Sequence, residues 1–162
     1  MGVKLDRAFR DTLQADELLT ADTTLGAAGV FVQIGEGYEV PAGQAIQFGQ
    51  GTIRSQEGAV GRIYIDMVDD AAAAEDGVVR LVVENPTGTE RVEIGRWPTE
   101  RLRSGDADTL ADQLTFPLDG RWFPANSRIL IEMAPDEADD TIDVSACTCL
   151  VDIMRAPFVP GV

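Results

Sequence analysis

The stretch that decides the fold is Val78-Val79-Arg80-Leu81-Val82-Val83-Glu84-Asn85-Pro86-Thr87-Gly88-Thr89-Glu90-Arg91-Val92-Glu93-Ile94. Residues 78–84 and 90–94 are β-type runs, and Asn85, Pro86 and Gly88 between them are turn formers, so the whole reads as a hairpin. The same texture extends in both directions. Towards the N-terminus, residues 60–68 alternate Ile63, Ile65 and Met67 with polar positions, and residues 44–48, 38–40 and 30–34 are further short runs. Gly35-Glu36-Gly37 closes the earliest run, and Pro41-Ala42-Gly43 makes a turn. Towards the C-terminus lie runs at 114–118, 128–133 and 141–154. Gly and Pro fall between the runs, where they do not interrupt a ladder.

About eight strands without intervening helical patterns exclude βαβ crossovers and favour a sandwich or barrel. The expected fold is all-β, an eight-stranded antiparallel jelly-roll sandwich with a short N-terminal helical arm. Immunoglobulin-like sandwiches are the competitor, but their spaced cysteines and tryptophan are missing, since Cys147 and Cys149 lie together near the end. Two stretches break the rhythm: residues 69–76, with four consecutive alanines between acidic residues, and residues 96–113. The expected organisation is an arm at 1–23, the sandwich at 24–155 and a tail at 156–162. Within the arm, Leu5, Phe9, Leu13 and Leu18 recur at helical spacing among charged residues. Such a helix either packs on its own domain or docks on a neighbouring subunit.

Composition narrows the setting. Asp and Glu total 28 against 13 Lys plus Arg, a net charge of −15, and Lys4 is the only lysine. An acidic surplus almost devoid of lysine is the pattern of a protein working in concentrated salt. There the Debye length shrinks to roughly 3 Å, repulsion between carboxylates is screened, and the acidic surface stays hydrated. Arginine in place of lysine also fits a GC-rich genome. The charge disfavours a nucleic-acid partner, which needs clustered basic residues; Lys4, Arg7 and Arg10 are offset by Asp6 and Asp11. No apolar stretch approaches the length of a membrane span or a secretory leader, so neither membrane insertion nor export is expected. Cys147 and Cys149 suit a strand face as small buried residues.

The search for chemistry finds little. The chain has no histidine, which removes histidine general bases, Ser-His-Asp and Cys-His arrangements and most zinc sites. Gly49-Gln50-Gly51 is not followed by the helix start that a phosphate loop requires. Glu84, Glu132 and Asp152 are the strand-borne carboxylates from which a hydrolytic pair would be drawn, but no matching groove is evident. No enzymatic activity is expected. Asp136, Asp139 and Asp140, with Glu137, are candidates for a structural cation, weighed against plain hydrated surface, and no other cofactor is expected. Asp69 and Asp70 read the same way. Trp97, and Trp122 beside Arg121 and Phe123, either cap the core or anchor contacts with a partner. With Tyr38 they also allow an alternative reading as a carbohydrate-binding module. Leu5, Phe9, Leu13, Trp97 and Trp122 are the interface candidates.

An acidic jelly roll with an N-terminal arm and the tail Ala156-Pro157-Phe158-Val159-Pro160-Gly161-Val162 resembles the structural proteins of viruses infecting halophilic archaea. These are single jelly-roll capsid, head decoration or turret proteins. The resemblance lies in architecture and composition, without a diagnostic motif. It implies assembly into symmetric homo-oligomers with other capsid proteins as partners, a place in the virion, and no catalysis.

Overall fold

A computed structural model describes residues 2–3, 9–48, 63–66, 76–99, 121–138 and 141–159. In chain order the elements are β1 (Gly2–Val3), β2 (Phe9–Gln14), the single helical turn α1 (Ala15–Leu18), β3 (Thr23–Thr24), β4 (Val32–Glu39) and β5 (Gln44–Phe48). They continue with β6 (Ile63–Asp66), β7 (Gly77–Glu84), β8 (Arg91–Pro98), β9 (Phe123–Pro124), β10 (Arg128–Pro135), β11 (Thr141–Ile142) and β12 (Thr148–Val159). The pairings among them are antiparallel.

The first sheet is organised by β12. β2 lies against Leu150 to Arg155 and β1 against Phe158 and Val159. On the other side β6 pairs with Thr148 to Val151 and β5 with Ile153 to Pro157, so β5 and β6 follow one line along β12 with residues 49–62 between them in sequence. β9 completes this sheet against β5. The second sheet runs β4–β10–β7–β8, and β11–β3 form a small ribbon. Both sheets bury side chains in one core: Leu13, Ile46, Phe48, Val151 and Ile153 from the first, Ile34, Leu81, Val83, Ile131 and Met133 from the second. Each such side chain contributes about 1.5–3 kcal/mol by leaving water. Phe48 and Phe123 meet edge to face at 5.8 Å, the geometry their ring quadrupoles favour.

The hairpin of the opening stretch is present. Val79, Leu81 and Val83 of β7 face the core while Arg80 and Glu84 take the other face, as the two-residue strand period requires. The structure departs from the sequence reading in four places. Phe9, predicted helical, begins a strand: Leu13 lies opposite Val151 and the helix is confined to Ala15–Leu18. Phe9, Asp11 and Leu13 also fit a two-residue period, and the unpaired edge of β12 settles which period applies. Gly35 and Gly37 do not end the first run but lie within β4, at φ 70° and 78°. The pairing of β4 with β10 slips between Ile129 and Ile131 there, a glycine-dependent bulge. A Cβ on Gly37 would sit 2.5 Å from the Ile129 carbonyl oxygen.

β8 likewise continues past Ile94 to Pro98 through an irregularity opposite Leu81 and Val82, and the Trp97 ring lies directly over Gly95. Finally, residues 141–154 are not one run. The ribbon strand β11 is followed by a tight 3-10 turn at Val144–Ala146, which Asp143 caps by accepting from the Ser145 N–H at 3.0 Å. β12 then continues through Ala156–Val159, residues the sequence reading assigned to a tail. The expected run at 114–118 and the alanine-rich stretch at 69–75 lie outside the described residues.

Candidate assembly surface

Strand alternation places one set of charges on the outer face of the second sheet. Arg80 of β7 lies opposite Glu132 of β10 on one side and Arg96 of β8 on the other. Glu84 lies between Arg128 and Arg91 in the same way. The Glu132 side chain is only 4% exposed and accepts from Arg80 Nε at 2.5 Å and Arg91 Nη1 at 2.7 Å. A buried carboxylate keeps its charge only when paired in this manner. Arg91 Nε also donates to Glu84 at 3.1 Å, and Arg128 stands 3.5 Å from the other Glu84 oxygen. Arg96 holds Glu93 through two parallel bonds of 2.6 and 2.7 Å. The Phe31 ring carries the Arg80 guanidinium at 3.9 Å and that of Arg96 at 5.3 Å, a cation–π arrangement that restrains both.

The electrostatics follow the geometry. The bond from Arg96 is the main reason the Glu93 carboxyl is held below the usual carboxylate range, against a smaller opposing effect of burial. Hydrogen bonding to Glu84 raises Arg91 further above its ordinary value. The layering is the notable feature: Glu132 and Glu84 lie low, whereas Arg96 is 55% exposed and Arg91 44% exposed. The face therefore shows Arg91 and Arg96 above the sunken Glu84 and Glu132, with the exposed Glu93 beside Arg96 and the exposed Glu39 opposite Arg128.

A second arginine system lies between the sheets. Arg155 of β12 is buried and donates Nε and Nη2 to Asp11 at 2.9 and 2.6 Å. Its Nη1 donates to the Tyr38 hydroxyl at 2.6 Å and to Gln44 Oε1 at 2.9 Å. Burial pulls its pKa down, but the bonds to Tyr38 and Asp11 outweigh that and raise it overall. This clamp joins β2, β5 and β12 of the first sheet to β4 of the second. It is structural, because four of the five guanidinium N–H donors are bonded to the protein itself.

The candidate residues from the sequence are distributed unevenly over this frame. Phe9 is 53% exposed and is available for contact. Leu13 is fully buried in the core, so its place among the interface candidates is corrected: the strand period turns it inward. Leu5 lies outside the described residues. Trp97 is half-buried against the core. Trp122, also half-buried, helps line a cavity of ≈ 220 Å³ at the β7–β8 hairpin end with Val83, Val92, Phe123 and Ser127. The two tryptophans thus mark opposite ends of β8, and Tyr38 is engaged by Arg155, so the three do not form one aromatic platform. Among the described residues the buried Ser127 hydroxyl has no hydrogen-bond partner.

Of the hydrolytic candidates, Glu84 and Glu132 share Arg91, while Asp152 belongs to the other sheet and accepts from the Thr12 hydroxyl at 2.8 Å. Asp136 is exposed, and Asp139 and Asp140 lie outside the described residues. Among the described residues no group of three or more metal-ligating side chains comes together, and no helix is long and apolar enough to cross a membrane. Cys147 and Cys149 are unbridged and buried, and burial pushes the Cys149 thiol far up. The sequence reading missed the arginine face and the Arg155 clamp. The alternating Arg80, Glu84, Arg91 and Glu93 were a visible signal for the first; the clamp left no local signal.

No family model matches the chain, and no curated protein does. Among solved structures it is similar to VP17, a capsid protein of bacteriophage P23-77, with a TM-score of 0.58 at 8% sequence identity. The alignment covers 97% of this chain and 99% of VP17. The all-β fold of antiparallel sheets is therefore one that a capsid protein also adopts.

Proposed function

We propose that the chain is a structural virion protein, an eight-stranded jelly-roll subunit that assembles into symmetric oligomers in, or attached to, the icosahedral capsid of a haloarchaeal virus. The observation that carries this is the end-to-end likeness to VP17, which leaves almost no part of either chain unmatched. The strand order supports the jelly roll. Counting β1 with β2, and β5 with β6, as single interrupted strands, each sheet holds four, ordered β2–β12–β5–β9 and β4–β10–β7–β8. Strands that follow one another in the chain are repeatedly sent to different sheets, as in a double Greek key. The charge of −15 with a single lysine supports the saline host, since such a surface stays soluble where salt screens it. A non-catalytic role agrees with a chain lacking histidine and with Glu84 and Glu132 committed to arginines.

The test is quantitative mass spectrometry of particles banded in a high-salt density gradient, with antibody labelling of intact virions. The expected result is a stoichiometric component accessible on, or built into, the shell. A chain found only in the unassembled fraction of infected cells would overturn the proposal.

A further inference from the structure

We infer that the cavity at the β7–β8 hairpin end is a binding site for a neutral aromatic ring that carries a hydroxyl, a function separate from assembly. The cavity measures ≈ 220 Å³, and a void of about 150 Å³ lined by apolar side chains holds a benzene ring. There is therefore room for one ring with a polar substituent. The walls supply what such a ring prefers: Val83 and Val92 from the hairpin strands, and Trp122 and Phe123 from the segment that enters β9. Aromatic side chains meet another ring edge to face or offset, beyond the gain from its burial. The two charged residues of the lining, Glu90 and Arg121, are of opposite sign, so net charge selects neither a cation nor an anion.

One polar group gives the ring its orientation. Ser127 is 1% exposed and lines the cavity, and among the described residues its hydroxyl has no hydrogen-bond partner. Its main chain is already committed: the N–H donates to the Pro124 carbonyl at 3.2 Å, and the carbonyl accepts from the Val40 N–H at 2.8 Å. A buried hydroxyl left unbonded costs stability, and a ligand hydroxyl, which both donates and accepts, can satisfy it. The walls are fixed before a ligand arrives. Asn85 Oδ1 accepts from the N–H groups of Thr89 and Glu90 at 2.9 and 3.2 Å, which holds the hairpin connection. The Asn126 N–H donates to the Val40 carbonyl at 2.8 Å, which ties the turn before β10 to the end of β4. Walls framed in this way keep the cavity open, so little of the cost of ordering falls on binding.

Fluorine NMR titration of the full chain in concentrated sodium chloride, with para-fluorophenol and fluorobenzene as probes, tests this. The phenol is expected to give a saturable shift and to bind about fivefold more tightly than fluorobenzene, which matches its ring but lacks the hydroxyl. In Ser127→Ala the two probes are expected to bind equally, within about twofold. Val92→Phe, which fills part of the cavity, is expected to weaken both by about tenfold or more. N-acetyl-tyrosinamide separates two sources of such a ring: comparable binding assigns it to a tyrosine of a partner protein, and exclusion assigns it to a free small molecule. Absence of a saturable shift with either probe overturns the site, and equal binding of both by the parent overturns the hydroxyl as its mark. A preference that survives in folded Ser127→Ala, or undiminished binding in folded Val92→Phe, overturns it as well. The comparison of the two probes on the parent chain stands even where a substitution unfolds the protein, and none of these outcomes bears on the virion role.

Discussion

The protein contains two arginine systems that differ in what surrounds the guanidinium. Inside the sandwich, Arg155 is enclosed and four of its donors are taken up by Asp11, Tyr38 and Gln44. On the outer face of the second sheet the order is inverted: the carboxylate of Glu132 is enclosed and Arg80 and Arg91 lie over it, in part exposed to water. A buried cation tied to a half-exposed anion acts as a fastener between sheets. A buried anion under half-exposed cations ties neighbouring strands of one sheet together from its outer face. The same ion pair chemistry thus does different work according to which partner is desolvated.

That difference can be broken from either side. The largest effect is expected at Asp11. Asp11→Ala leaves the buried Arg155 without its counter-charge and should cost about 3–5 kcal/mol of folding stability. Arg155→Met removes the charge that burial penalises, and the 40% exposed Asp11 side chain can then turn to water, so the loss should be nearer about 1–2 kcal/mol. Denaturant titration of both variants checks the asymmetry, and equal losses would contradict it.

An intermediate effect is expected at Glu132. Glu132→Gln keeps the volume but removes the charge shared by Arg80 and Arg91, for an expected loss of about 1–3 kcal/mol in the same titration. The smallest effect is the acid response of Glu93. Its carboxyl is held low in the folded chain, chiefly by Arg96, so the unfolded chain binds more protons as pH falls. The resulting stabilisation is complete above the unfolded carboxylate range and lost as pH drops through the folded value. Solvent screening limits it to about 0.5 kcal/mol. Comparing stability with pH for the parent and Glu93→Gln should show that small increment disappearing below the carboxylate range.

The legible part of this molecule is the part written in short-range pattern. The hairpin around Asn85-Pro86-Thr87-Gly88-Thr89 could be read directly, because Val79, Leu81 and Val83 alternate with Arg80 and Glu84 and the connection uses turn residues. Gly35 and Gly37 were harder: glycine marks both a turn and a bulge, and only β10, slipping at Ile129, distinguishes them. Phe9 and Leu13 fit a helical and a strand period equally, and their assignment depends on β12, more than a hundred residues away in sequence. The short strand β9, Phe123–Pro124, carries too few residues to show any period.

By itself, the sequence determined the strand-rich class, the acidic surplus and the lack of histidine, since composition and two-residue alternation are properties of neighbours along the chain. The tertiary structure alone decided which charges are buried and which are shown. Asp11 meets Arg155 across 144 positions, and Glu132 meets Arg80 and Arg91 across 52 and 41. Whether an arginine fastens sheets or stays at the surface depends on its desolvation, and desolvation is set by the packing of segments that the sequence keeps far apart.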